Sequence, residues 1–132
     1  ALVGSRFWAS DEALVGPNMH QAAIETTGDN TIRSSVMDIA RKLDWPERYS
    51  CRVLKNPFTD RWHGDLAGLR ENADEQAAQW RSAWQADDPD GSNTFVGEVT
   101  GLINDIRPAK DLLNQMVAEA EALLKRGSEL AG

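Results

Sequence analysis

Residues 99–123, VTGLINDIRPAKDLLNQMVAEAEAL, carry apolar side chains at Val99, Leu102, Ile106, Ala109, Leu113, Met116, Ala120 and Leu123. The intervals alternate between three and four residues, the seam of a long helix that packs against other helices. The spacing therefore predicts an all-α fold, a small antiparallel helical bundle with a long C-terminal helix and short capping helices. Asn93 or Thr94 is expected to start that helix. Pro108 lies off the seam, and because the phase continues through Ala109, Leu113 and Met116, a bend is expected there rather than a stop.

Working outward, residues 86–93, ADDPDGSN, form the clearest loop of the chain. Before it, Leu66, Leu69, Ala73, Ala77, Trp80 and Trp84 predict one helix over about 66–85, its wet side formed by Arg70, Glu71, Asp74, Glu75 and Arg81. Residues 44–65 read as an irregular connection. Within it Asp44, Pro46 and Glu47 suit the start of a short helix, Asn56-Pro57 marks a boundary, and Gly64-Asp65 offers a break and a new cap. Residues 19–43 predict one interrupted helix with the stripe Ile32, Val36, Ile39, Ala40 and Leu43, weakened near Gly28 by Thr26, Thr27, Asp29, Asn30 and Thr31. A short helix is expected over 5–15, ended by Gly16-Pro17-Asn18. The whole reads as a single helical domain, 1–132, and 132 residues with 41% apolar side chains suffice for a core without a metal or disulfide.

The net charge of −7 is carried by one half. Residues 1–64 hold eight basic and eight acidic side chains, whereas residues 65–132 hold six and thirteen. That half would repel a nucleic-acid backbone, so no nucleic-acid partner is expected. One cysteine, Cys51, excludes an internal disulfide framework. No apolar run of membrane-spanning length occurs. Ala1-Leu2-Val3-Gly4 is too short for a signal core, and a start without Met fits a processed protein or an excised domain. The compartment stays open between extracytoplasmic and cytoplasmic, with a lean to the former.

Candidate chemistry is sparse. His20 and His63 have no metal-ligand spacing, and the 86–93 loop fails the EF-hand pattern because Ala86 and Gly97 fall at ligand positions. Arg48 and Arg52 flank Cys51 in sequence and would lower its pKa if they met it in space, but no histidine is spaced to pair with it. There is no glycine-rich phosphate loop, zinc signature, haem attachment motif or nucleophile elbow. No catalytic residue, metal or cofactor is assigned. Two ligand-binding areas stand out: the polar band with Thr31, Arg33 and Ser34, where a guanidinium would recognise an anion, and the aromatic segment with Trp45 and Trp62, joined by Tyr49 and Phe58.

The resulting expectation is a non-enzymatic helical binding or interaction module, in one form an extracytoplasmic small-ligand sensory domain whose long helix transmits a shift. One alternative is an assembly or adaptor subunit that self-associates or binds a protein through its C-terminal helix. The other is a small enzyme with a distributed active site.

Overall fold

In this computed structural model, residues 3–46 and 48–131 are described. The expected capping role of Glu47 lies outside them. The fold is a mostly helical bundle, 57% helical, with a long C-terminal helix, short capping helices and one small sheet. Its helices are α1 (Gly4–Trp8), α2 (Pro17–Ile24), α3 (Val36–Ala40), α4 (Pro57–Trp62), α5 (Leu66–Glu71), α6 (Ala73–Gln85) and α7 (Ala109–Ala131). Two 3₁₀ turns, Gly28–Asn30 and Glu98–Leu102, pack on each other. A Cβ on Gly28 would strike the Glu98 carbonyl oxygen, so only glycine permits this approach.

The interrupted helix expected over 19–43 gives way in its middle to a strand. β1 (Thr31–Ser34) pairs antiparallel with β2 (Cys51–Leu54), in the register Thr31↔Leu54, Ile32↔Val53, Arg33↔Arg52 and Ser34↔Cys51. Thr31, Ile32 and Val53 are β-branched and suit the pleat. Arg33 faces Arg52 across the pair, which is unfavourable unless both charges are diverted. Arg52 donates to Thr31 Oγ1 at 3.0 Å and reaches Glu98 at 3.1 Å, while Arg33 donates to the Ser50 carbonyl at 3.1 Å. Two parts of the sequence pattern survive: α2 opens at the Pro17 break and α3 keeps the stripe Val36, Ile39, Ala40.

The Asn56-Pro57 boundary is a full capping box. The Asn56 side chain accepts from Thr59 N at 2.8 Å, and the Thr59 hydroxyl accepts from Asn56 N, also at 2.8 Å. Asp65 caps α5 through Gly68 N. The single helix expected over 66–85 is kinked into α5 and α6 at Asn72, whose amide donates to the Gly68 carbonyl four residues back. The core forms where α3, β2, α4 and α5 meet: Val36, Met37, Ala40, Val53, Phe58, Trp62 and Leu69, with Ile32, Ile39, Leu66, Trp80 and Phe95 at its margin. A smaller cluster joins Ala23, Leu54 and Val96 under Trp8.

The largest departure lies in residues 92–108. Asn93 and Thr94 do not begin a helix; the chain is irregular on either side of the Glu98–Leu102 3₁₀ turn and is buried in part. Ser92, Asn93, Thr94 and Thr100 are buried. Their polar groups bind elsewhere: Asn93 accepts from the Trp80 indole at 2.9 Å, Thr100 donates to the Ala23 carbonyl at 2.6 Å, and Leu54 N donates to the Thr94 carbonyl. Arg107 makes a bridge to Ser10, and Pro108 stands just before α7 rather than bending it. Proline disfavours helical geometry in the residue before it, which decides where the helix begins. Glu12 then accepts from Ala109 N at 2.7 Å and closes the new N-terminus.

Candidate functional site

The acidic loop before residue 92 holds the fold together. Asp87 Oδ2 accepts from Asn18 N at 2.7 Å and Oδ1 from Met19 N at 3.2 Å, so a carboxylate some seventy residues away caps α2. Asp88 accepts from Asp90 N, and the Ser92 hydroxyl donates to the Asp88 carbonyl. These groups are spent on backbone. Among the described residues no three His, Cys, Asp or Glu side chains gather to hold a metal.

The polar band of Thr31, Arg33 and Ser34 is likewise absorbed into the hairpin. Thr31 is buried and donates to the Gly28 carbonyl at 2.7 Å. Ser34 Oγ accepts from Val36 N at 3.2 Å and lies 3.0 Å from His63 Nδ1, which ties the end of α4 to β1. Arg33 is exposed along the strand pair and lines none of the clefts described. Trp62 is a core side chain whose indole donates to Gln76 at 3.2 Å. Of the five expected ligand-binding residues, only Trp45 reaches a cavity.

That cavity is a cleft of about 430 Å³ with a largely apolar lining. Its walls come from the C-terminal end of α3 (Asp38, Arg41), the segment after it (Leu43, Trp45, Tyr49, Ser50), Cys51 at the head of β2, and Phe95. Trp45 and Tyr49 meet edge to face, ring centroids 6.3 Å apart, and both remain about half exposed at the cleft mouth. The segment they sit on also borders a second cleft of about 240 Å³, with Ser35, Asp44 and Arg70.

Two charged groups give the cleft its character. The Arg41 guanidinium lies 5.2 Å from the Phe95 ring centre and 5.6 Å from that of Trp80. Aromatic faces hold a guanidinium by cation–π attraction while leaving its N–H fork free for another ligand. Trp80 is itself stacked on Trp84 at 5.6 Å, and Trp84 meets Trp8, so the cation rests on a braced aromatic row. Asp38 is 7% exposed. Among the described residues the ion pairs are Arg6–Asp105, Lys42–Asp74 and Arg52–Glu98; Asp38 and Arg41 belong to none of these three.

Cys51 is the third reactive group. Its thiol is pushed up to about 12, first by burial and then by the negative charge of Asp38, with Arg41 opposing in part. This reverses the expectation from Arg48 and Arg52. In the strand, Arg52 turns to Thr31 and Glu98, while Arg48 lies over the Tyr49 ring. A thiol protonated across the neutral range is a weak hydrogen-bond donor, not a nucleophile.

Sequence reasoning found Trp45 and Tyr49 because aromatics in an irregular segment are conspicuous. It did not single out Asp38, Arg41 and Phe95, which line the same cleft. Asp38 and Arg41 lie off the apolar stripe of residues 32–43, and Phe95 follows the expected helix start at Asn93 or Thr94, so no local pattern marks any of the three.

No family model matches the chain. It is 28% identical over 128 residues to a nitronate monooxygenase of Neurospora crassa, a match that spans 95% of this chain and 32% of the relative. Its fold is that of part of FabK from Thermotoga maritima, with a TM-score of 0.72, 22% identity, and coverage of 93% of this chain and 37% of that one. A single-substitution mutant of the same FabK matches with a TM-score of 0.63 at 22% identity, over 93% of this chain and 33% of the other. The chain therefore spans about a third of the length of the proteins it matches.

Proposed function

We propose that this chain forms the ligand-facing third of an oxidoreductase related to nitronate monooxygenases, and that its aromatic cleft takes a small planar organic anion. The observation that carries this reading is Arg41, held against the rings of Trp80 and Phe95 at the cleft. The chain that bears it matches a nitronate monooxygenase over nearly its whole length. A nitronate spreads one negative charge over two oxygens of a planar group, as a carboxylate does, and a guanidinium fork matches that shape. Trp45, Tyr49 and Leu43 would cover the organic part. Asp38, close by, repels any anion, and the penalty grows with the ligand's charge, so a monoanion is disfavoured least.

The match to an enzyme supports the enzyme alternative over a free-standing sensory module. The cleft keeps the ligand-binding part of the sequence reading in either case, at Trp45 and away from Arg33. Cys51 stays protonated there, and its thiol donates to the Ser34 carbonyl at 3.4 Å. No reaction step is assigned to these residues.

Propane-2-nitronate titrated into the chain should shift the indole resonance of Trp45 saturably. Arg41→Gln should weaken that binding about 10- to 100-fold, the span expected for a lost charge-assisted hydrogen bond. A chimera in which this chain replaces the matched third of the Neurospora enzyme should consume oxygen with the same nitronate, and Arg41→Gln should depress that consumption. Absence of a saturable shift, or equal binding by Arg41→Gln, overturns the reading.

A further inference from the structure

The C-terminal part of α7 has no cover. Every residue from Val117 to Leu130 is exposed, including Val117 at 52%, Leu123 at 66%, Leu124 at 74% and Leu130 at 81%. Only the root is held: Leu112 is buried and Met116 is half-buried. The exposed stretch is fourteen residues long, or about 21 Å at the helical rise. Isolated helices of that length are marginal in water, so neighbours normally supply their stability. The side chains Leu113, Met116, Val117, Ala120, Leu123, Leu124 and Leu130 fall on one stripe, as a packed helix requires and a solvated one does not. At its root the stripe runs into a cleft of about 320 Å³ lined by Leu102, Leu112 and Met116 with the ion-paired Arg6 and Asp105. Leu102, which borders it, is itself 80% exposed.

We propose that this stripe and its root cleft are the docking surface for the part of the oxidoreductase fold that this chain does not include. The inference rests on the oxidoreductase reading above and names the partner of its fold. The FabK match covers 93% of the chain, which leaves about nine residues outside it, fewer than the 23 of α7. Most of α7 therefore belongs to the shared fold and is no appendage of this chain. The 128 matched residues make up 32% of the Neurospora relative, so about 270 of its residues lie outside the match. A helix that is apolar along one face and bare here sits, in those relatives, within a protein three times as large. The occupant is that remaining portion, meeting α7 with an apolar surface whose rim is polar enough to face Asp111, Glu119, Lys125 and Arg126.

Hydrogen exchange tests this without asking for catalysis. In the isolated chain the amides of residues 117–130 should exchange quickly. In the chimera with the Neurospora enzyme they should slow by at least about 100-fold, even where Arg41→Gln weakens nitronate binding. Fast exchange of those amides in a folded chimera overturns the proposal. So does protection in the isolated chain that grows with its concentration, which would make a second copy the occupant. A second measurement needs no chimera. Leu123→Glu/Leu124→Glu in the chain should leave the melting temperature within about 2 °C. A larger fall means the stripe is already buried, and the proposal fails. Loss of nitronate binding with α7 protected in the chimera would sink the cleft reading alone.

Discussion

The cluster around α3 and α5 and the outer two thirds of α7 are both apolar on one face, yet they end in opposite environments. Val36, Met37, Val53 and Leu69 are fully buried, while Leu124 and Leu130 are 74% and 81% exposed. Amphipathic spacing says that a face seeks cover. It does not say that the cover belongs to the same chain. In the cluster the cover comes from α3, β2, α4 and α5 themselves; along α7 none of these elements supplies it.

The sharpest way to break that contrast is a pair of truncations. Leu69→Ala should cost about 2–5 kcal/mol, the range for a buried leucine whose site collapses only partly. Leu124→Ala should fall within about 0.5 kcal/mol of the parent. Urea denaturation of both variants measures the difference. Equal costs would mean that α7 is covered in solution and that the two regions are not different in kind.

Asn56 tests whether polar groups brace the cluster as firmly as apolar ones. Its oxygen caps α4, while its amide donates to the Pro89 carbonyl at 2.7 Å and the Ser92 carbonyl at 2.6 Å. Asn56→Ala removes the cap and leaves buried acceptors unpaired, an expected loss of about 2–4 kcal/mol. Asn56→Asp keeps the capping oxygen and loses both donations. If the aspartate variant matches the parent in urea, the long-range bonds to residues 89 and 92 contribute nothing.

The same contrast explains what could be read in the chain. Local signals were legible: the Asn56-Pro57 cap, the Asp65 cap, the breaks at Gly16-Pro17 and in the 86–93 loop, and the long terminal helix. Each depends on residues within one turn of one another. The hairpin was not legible, because the partners of Thr31 and Ile32 are Leu54 and Val53, more than twenty residues on, and the local stripe through Val36 suited a helix equally well. Residues 92–107 misled for a related reason. Their three-and-four spacing is real, but Thr100 and Asn93 bind the Ala23 carbonyl and the Trp80 indole, which a helix would have kept apart. The cleft suffered most, since Arg41, Trp80 and Phe95 come together only through tertiary packing. Arg33 reads as an anion ligand because no sequence signal shows that its guanidinium donates to the Ser50 carbonyl.

Cys51 sharpens the contrast at the border between core and cleft. With its thiol near 12 against an ordinary 9.0, the thiolate fraction below pH 9 is roughly 1,000-fold under that of a free cysteine, and alkylation by iodoacetamide should slow accordingly. The rate should climb about tenfold per pH unit through pH 10 without a plateau. Asp38→Asn removes the nearby negative charge, lowers the thiol pKa and speeds the reaction; slower labelling in that variant would contradict the assigned cause. The sign for stability is also fixed. The unfolded chain ionises its cysteine first, so folding is undisturbed below about pH 9 and loses stability as pH rises toward 12.

The smallest expected effect separates backbone from surface charge at the end of α3. Lys42 has φ 56°, a left-handed conformation in which a Cβ is crowded and glycine is not. Its ammonium bonds Asp74, which holds that fully exposed carboxyl below its ordinary range, first through the hydrogen bond and then through charge. A depressed carboxylate adds stability above its ordinary pKa and gives it up as pH falls through the lowered one. Solvent and salt screen such a pair heavily. Lys42→Ala loses the pair and keeps the strained backbone. Lys42→Gly loses the pair and relieves the backbone, with part of the relief offset by the freer unfolded chain. The glycine variant should therefore exceed the alanine variant by about 1 kcal/mol and lie within about 0.5 kcal/mol of the parent. In both, an NMR titration should return Asp74 to the ordinary carboxylate range. If alanine proves as stable as glycine, the left-handed turn at Lys42 costs nothing.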